Sequence, residues 1–296
     1  MKLNWKGWLL WSNQFYGICA ASLALASGFV LLHQLPILWM LLLIHLATVL
    51  FYTHAYIQES KNGLLNERVM WYQKNKLYLI VRQIFLSCIC LYIAIIKLDL
   101  FYLFLQASIS VKFIFCTTIL LALTYYLPNL SFSFLKSYRA KGVFKSLAIA
   151  WVWTVICSLF PIWLVNNATF NIYDEAFIIY FLQLFIYVLV LAILFDFKDM
   201  QKDQVDEVNT IVLKLGLSTT LKTIIIPLLL LYYGTVVYWL YITGMSPISY
   251  VLQGFLVILT YLIAHKVIKQ KAIHANILLI DGLLILKAIL TLLLLC

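Results

Sequence analysis

Asp196, Asp199 and Asp203 form a DxxDxxxD run. On an α-helix turning about 100° per residue, positions i, i+3 and i+7 fall within about 60° of one another, so three carboxylates share one face. Like charges at these spacings repel by about 0.2 to 0.5 kcal/mol per pair, and a cation placed among them removes that cost. Asp206 continues the face at i+10. Mg²⁺ takes one or two carboxylates from a protein and completes its shell with water and substrate phosphate oxygens, so the pattern suits a metal-diphosphate site. It is equally the pattern of a solvated helix end carrying ordinary charged residues.

The run closes an apolar stretch from 175 to 195, and the rest of the chain shares that character. Of 296 residues, 65% are hydrophobic and 11% charged, whereas a soluble domain carries about 25% charged residues. A spanning helix needs about 20 apolar residues. That window gives nine segments, at roughly 15 to 33, 36 to 57, 77 to 97, 99 to 127, 143 to 165, 175 to 195, 221 to 242, 247 to 266 and 275 to 296. The fourth is overlong and contains Lys112. No Gly/Ser-rich or Pro-rich linker divides the sequence. The expected fold is therefore an all-α membrane protein, with nine transmembrane helices in a single bundle around a central cavity, formed as one domain over 1–296.

The formal net charge of +10 belongs to topology. Lys2 and Lys6 precede the first segment. Lys61, Arg68, Lys74 and Lys76 lie between the second and third, and Lys136, Arg139, Lys141 and Lys145 between the fourth and fifth. Lys198, Lys202, Lys214 and Lys222 follow the sixth, and Lys266, Lys269 and Lys271 the eighth; Lys97 stands on the opposite side. This alternation is the positive-inside pattern and places the N-terminus in the cytoplasm. The partner it implies is the lipid bilayer, with no nucleic acid, and the expected location is a multi-pass protein of the bacterial inner (plasma) membrane. Ser12-Asn13-Gln14 interrupts the first apolar run, which favours an uncleaved first helix over a secretory signal. The six cysteines lack CxxC spacing and read as small buried hydrophobes. Trp5, Trp8 and Trp11, three residues apart, suit an aromatic anchor at the interface.

The longest polar segments, 58 to 76, 128 to 142 and 196 to 220, all fall on the cytoplasmic side. Phe195-Asp196-Phe197-Lys198-Asp199-Met200-Gln201-Lys202-Asp203, followed by Asn209-Thr210-Ile211 and Lys214-Leu215-Gly216, resembles the second aspartate-rich motif of the UbiA superfamily of intramembrane prenyltransferases. The nine segments, the cytoplasmic polar loops and the stretch from Leu135-Lys136 to Gly142 are also similar. The resemblance implies that Mg²⁺ held by Asp196, Asp199 and Asp203 neutralises a polyprenyl diphosphate, and that Lys136, Arg139 and Arg68 support its phosphates while a lipophilic acceptor attacks the allylic cation. Arginine suits that work through its planar fork and lysine as a point charge, although cytoplasmic loops collect both for topological reasons. The chain departs from the family at the first motif. The NxxxDxxxD positions fall on His54, Gln58 and Asn62, where amides bring no negative charge and would hold a second Mg²⁺ far more weakly. These three also read as a polar cap on the second helix.

Asp281 and Lys287 lie inside the ninth segment, where an ionisable residue is a functional candidate by default. Spacing of i to i+6 does not bring them together, and a packing role for Asp281 is the plainer reading. Tyr125, Tyr126, Trp151 and Trp153 could flank a carbocation with their ring faces or simply pack the bundle. Three functions follow. The first is a Mg²⁺-dependent prenyltransferase. The second is a non-catalytic relative that binds an isoprenoid or lipid phosphate. The third is a small cation transporter using Lys112, Asp281 and Lys287.

Overall fold

A computed structural model describes residues 7–59, 67–126, 142–166, 171–205, 209–269 and 273–295; at some of these, Gln58 and Asp199 included, the backbone alone is described. Among the described residues the chain is helical and contains no strand. The helices are α1 (Gln14–Leu32), α2 (Leu38–Glu59), α3 (Glu67–Lys74), α4 (Lys76–Lys97), α5 (Leu100–Gln106) and α6 (Ile109–Tyr126), then α7 (142–166), α8 (Glu175–Val205), α9 (Ile211–Leu215), α10 (Leu217–Ile242), α11 (Pro247–Lys269) and α12 (Ile273–Leu292).

Seven of the described helices, α1, α2, α4, α7, α8, α10 and α11, are long and apolar enough to cross a membrane. The surface agrees with that reading. On α11, Val251, Phe255, Ile258 and Leu262 are each more than half exposed, and their i, i+4, i+7, i+11 spacing makes one apolar stripe. Large apolar side chains facing outward in rows cost little only where the surroundings are lipid. Cys88 and Cys116 are exposed as well, whereas Cys19 and Cys157 are buried, so only part of the cysteine set fills the core.

The expected fourth span breaks in two. Ala107 takes an extended conformation (φ −60°, ψ 149°) and ends α5. The Ser108 hydroxyl accepts from the Val111 N–H at 3.4 Å, and the Lys112 ammonium donates to the Leu105 carbonyl oxygen at 2.8 Å. A side-chain cap on one helix and a cation on the last carbonyls of the other satisfy backbone groups that the break leaves open. What remains apolar is the shorter run Ile109–Leu123.

At the centre, α1 packs between α2 and α12, and α8 packs between α7 and α10 while also meeting α11 and α12. Small residues of α1, including Cys19, Ala20 and Ala24, are almost fully buried and allow close helix approach. Gly17 shows how close. A Cβ there would stand 2.7 Å from His45 Nδ1 and 2.9 Å from the His45 carbonyl oxygen. Wide π-helical turns interrupt α7 at Val155–Leu159 and α10 at Leu221–Ile225, and a third closes α4 at Ile93–Lys97.

Candidate functional site

Helix α8 has 31 residues, about 46 Å at 1.5 Å per residue, against a hydrocarbon core about 30 Å thick. Its C-terminal turns therefore extend beyond the apolar stretch, and they carry the aspartates. Asp196 and Asp203 are nonetheless buried, at 1% and 4% exposure, because α7 covers them. The Lys145 ammonium lies 3.0 Å from Asp196 Oδ1 and 3.1 Å from Asp203 Oδ1, and donates to both oxygens of Asp203. The next residue, Ser146, donates its hydroxyl to Asp196 Oδ2 at 2.8 Å. The cation that the spacing calls for is thus present as a lysine side chain. Two carboxylates share one ammonium.

Asp199 lies on α8 between them, with its side chain outside the described set. Among the described residues, no group of three or more His, Cys, Asp or Glu side chains stands close enough to hold a metal ion. Thr210 and Gly216, which carry the similarity after the aspartates, have local tasks. Thr210 caps α9 by accepting from the Leu213 N–H at 3.3 Å, and Gly216 turns the chain into α10 at φ 78°, a conformation that favours glycine.

Arg68 belongs to a second polar centre. Its guanidinium donates to Asn13 Oδ1 and lies 3.4 Å from the centre of the Tyr56 ring. Asn13, fully buried with φ 64°, donates to Thr53 Oγ1 at 3.0 Å and to the Tyr72 hydroxyl at 2.8 Å. The Tyr72 hydroxyl in turn donates to the Trp11 carbonyl oxygen at 2.7 Å. Arg82, from α4, donates to the Ser12 carbonyl oxygen and to Thr53 Oγ1, both at 3.0 Å. Burial pushes the Tyr72 phenol above its ordinary pKa, with Arg68 pulling it back down. His54, one residue past this knot, is exposed on α2. Gln58 continues α2 with its side chain outside the described set, and Asn62, Lys136, Arg139 and Asp206 lie outside the described residues.

Aromatic rings join the two centres. Trp153, two turns along α7 from Lys145, donates its indole N–H to the Tyr52 hydroxyl at 3.0 Å, and the Tyr52 ring stacks on Tyr16 at 4.6 Å. Tyr52 precedes Thr53 of the arginine knot, so α7 reaches both. Trp151 turns elsewhere and donates to Thr118 at 3.0 Å; Tyr125 and Tyr126 have side chains outside the described set.

The chain matches no family model, no curated protein and no solved structure. Its functional reading therefore rests on these side chains. Sequence reasoning placed Lys145 among the topological cations and gave Ser146 no role, and it passed over Arg82 and Asn13 as site residues. Arg82 carried a usable signal, being a charged residue inside an apolar run. Lys145 carried none, because its neighbours in sequence resemble those of every other loop lysine.

Proposed function

We propose that this chain is a UbiA-like, membrane-embedded prenyltransferase with nine helices around a central cavity and its N-terminus in the cytoplasm, transferring a polyprenyl group from its diphosphate to a lipophilic acceptor. The supporting observation is the convergence of buried Asp196 and Asp203 on a single cation position where α8 leaves its apolar stretch. Two carboxylates fit what Mg²⁺ takes from a protein when substrate phosphates complete its shell. Asp196, Asp203 and Asp199 would hold the ion, which when bound supplies neutralising charge for the leaving diphosphate.

The side chains of this chain supply the remaining functions. Lys145, on a flexible four-carbon stem, leaves the carboxylates and pairs with phosphate oxygens. Arg68, joined by Lys136 and Arg139, steadies the same anion. Tyr16, Tyr52 and Trp153 shield the allylic carbon from water and present ring faces to its developing positive charge. Incubating the purified protein in nanodiscs with Mg²⁺, labelled polyprenyl diphosphates and candidate acceptors tests this. Diphosphate release is expected in the wild type and is expected to vanish in Asp199→Asn, with the variant still inserted and folded.

Lys145 also favours a second reading. Aspartates already paired with an internal ammonium suit a non-catalytic relative that binds an isoprenoid or lipid phosphate. Saturable binding with no diphosphate release at any chain length would select it.

A further inference from the structure

Lys287, on α12, is 2% exposed. Its ammonium donates to the Tyr232 hydroxyl at 3.0 Å and lies 4.9 Å and 5.4 Å from the ring centres of Tyr232 and Tyr187. Among the described residues, ion pairs join Lys145 to its aspartates and none reaches Lys287. Asp281 of the same helix lies on the α1 side, where Cys19 donates to its carbonyl oxygen. A buried ammonium with only neutral neighbours is costly, since ring faces and one hydroxyl replace little of its hydration.

The surroundings supply more donors than acceptors. Tyr232 passes its own proton to Gln253 Oε1 at 2.9 Å, which leaves the amide two N–H donors to place. Trp239, 2% exposed, has a buried indole N–H with no acceptor. Lys287, Gln253 and Trp239 line one small cavity together with Gln183 and Thr291. Its volume is about 10 Å³, room for one water-sized particle. Trp239 also forms part of the wall of a cavity of about 460 Å³ bordered by His33, Asn166, Asp174 and Thr243, at the end of α8 remote from the aspartates. Trp239 thus borders both spaces.

The geometry points to a binding site for one halide-sized monovalent anion, such as chloride, held by the Lys287 ammonium, the Trp239 indole N–H and the Gln253 amide. Water would fill the space and accept these donors, but it would leave the charge uncompensated. Chloride is only slightly wider than water, whereas a carboxylate or phosphate brings several heavy atoms that a space for one water-sized particle does not hold. The bound anion joins α10, α11 and α12 around one charge, so its signature is a dependence of stability on halide.

The test is thermal unfolding of the full-length protein in detergent, with sodium chloride or bromide exchanged for sodium gluconate at constant ionic strength. Wild-type Tm is expected to rise with the logarithm of halide concentration once binding saturates, and Lys287→Met is expected to be flat. If that variant does not fold, Trp239→Phe removes one donor and retains the charge, and half-saturation should move to several-fold higher halide. A wild-type Tm indifferent to halide would overturn the proposal in favour of a neutral amine with water. An unchanged halide response in Lys287→Met, or in Trp239→Phe where that variant is the one measured, would also overturn it.

Discussion

Asp196 and Asp203 share one ammonium across the α7–α8 contact, whereas Arg68 and Arg82 are held by an amide, a hydroxyl, a carbonyl and a tyrosine ring, with no carboxylate pairing with them among the described residues. The contrast follows from donor chemistry. A guanidinium has five N–H donors, and any backbone or side-chain oxygen satisfies them, so neutral groups can hold it. A carboxylate only accepts, and inside a bundle the available donors are few because backbone N–H groups are committed to the helices. The acidic centre is therefore built on two carboxylates around one ammonium and the arginine knot on guanidinium groups among neutral partners, with Trp153, Tyr52 and Tyr16 joining the two. In the proposed function α8 would take the cation and Arg68 the phosphates.

The largest expected effect breaks the acidic side. Asp203→Asn should lower Mg²⁺-dependent diphosphate release by about 10²- to 10³-fold, the usual cost of losing one preorganised charge-stabilising group; release at the wild-type rate would remove the aspartates from the chemistry. Next, Lys145→Met leaves two buried carboxylates without their ammonium and should destabilise the protein by about 3 to 5 kcal/mol. Added Mg²⁺ should restore most of that loss, and a melting curve unmoved by Mg²⁺ would mark the triad as an internal ion pair alone. On the basic side, Asn13→Ala removes the acceptor of Arg68 together with the donor to Thr53 and Tyr72, an expected loss of about 2 kcal/mol in equilibrium unfolding with no change in Mg²⁺ response. The smallest effect is Tyr56→Leu, which deletes the ring under Arg68 and should cost about 0.5 to 1 kcal/mol.

Segments with long apolar runs were legible from composition, because hydropathy over about 20 residues reports the membrane directly. Seven of them stand, among the described residues, as helices long and apolar enough to span. The break near Ala107 was not legible in that window, since neither Gly nor Pro marks it. Its traces are the Ser108 cap and Lys112, which satisfies the carbonyl of Leu105. At the site, the i, i+7 relation of Asp196 and Asp203 is a property of one helix and could be read from spacing. Lys145 reaches Asp203 from a helix 58 residues earlier, and a single sequence contains nothing that records such a long-range pairing. Asn13 is instructive in another way. The polar triplet around it read as a mere interruption of the apolar run, but its amide joins three helices because burial obliges every polar atom of that residue to find a partner.

The wide turns at Ile93–Lys97, Val155–Leu159 and Leu221–Ile225 have a consequence for any redesign of these helices. The two that lie inside helices each absorb one surplus residue, so removing it lets the turn close as ordinary α-helix and leaves the downstream face nearly in phase, whereas a deletion in regular helix spins everything beyond it by about 100° about the axis. A one-residue deletion within 155–159 would leave Trp163, now 3% exposed, facing the interior, whereas the same deletion between 146 and 153 would carry Lys145 and Ser146 about 100° out of phase with it. Helical-wheel reasoning through α7 thus needs a phase correction at Val155, and alignments of this segment should expect gaps there before substitutions.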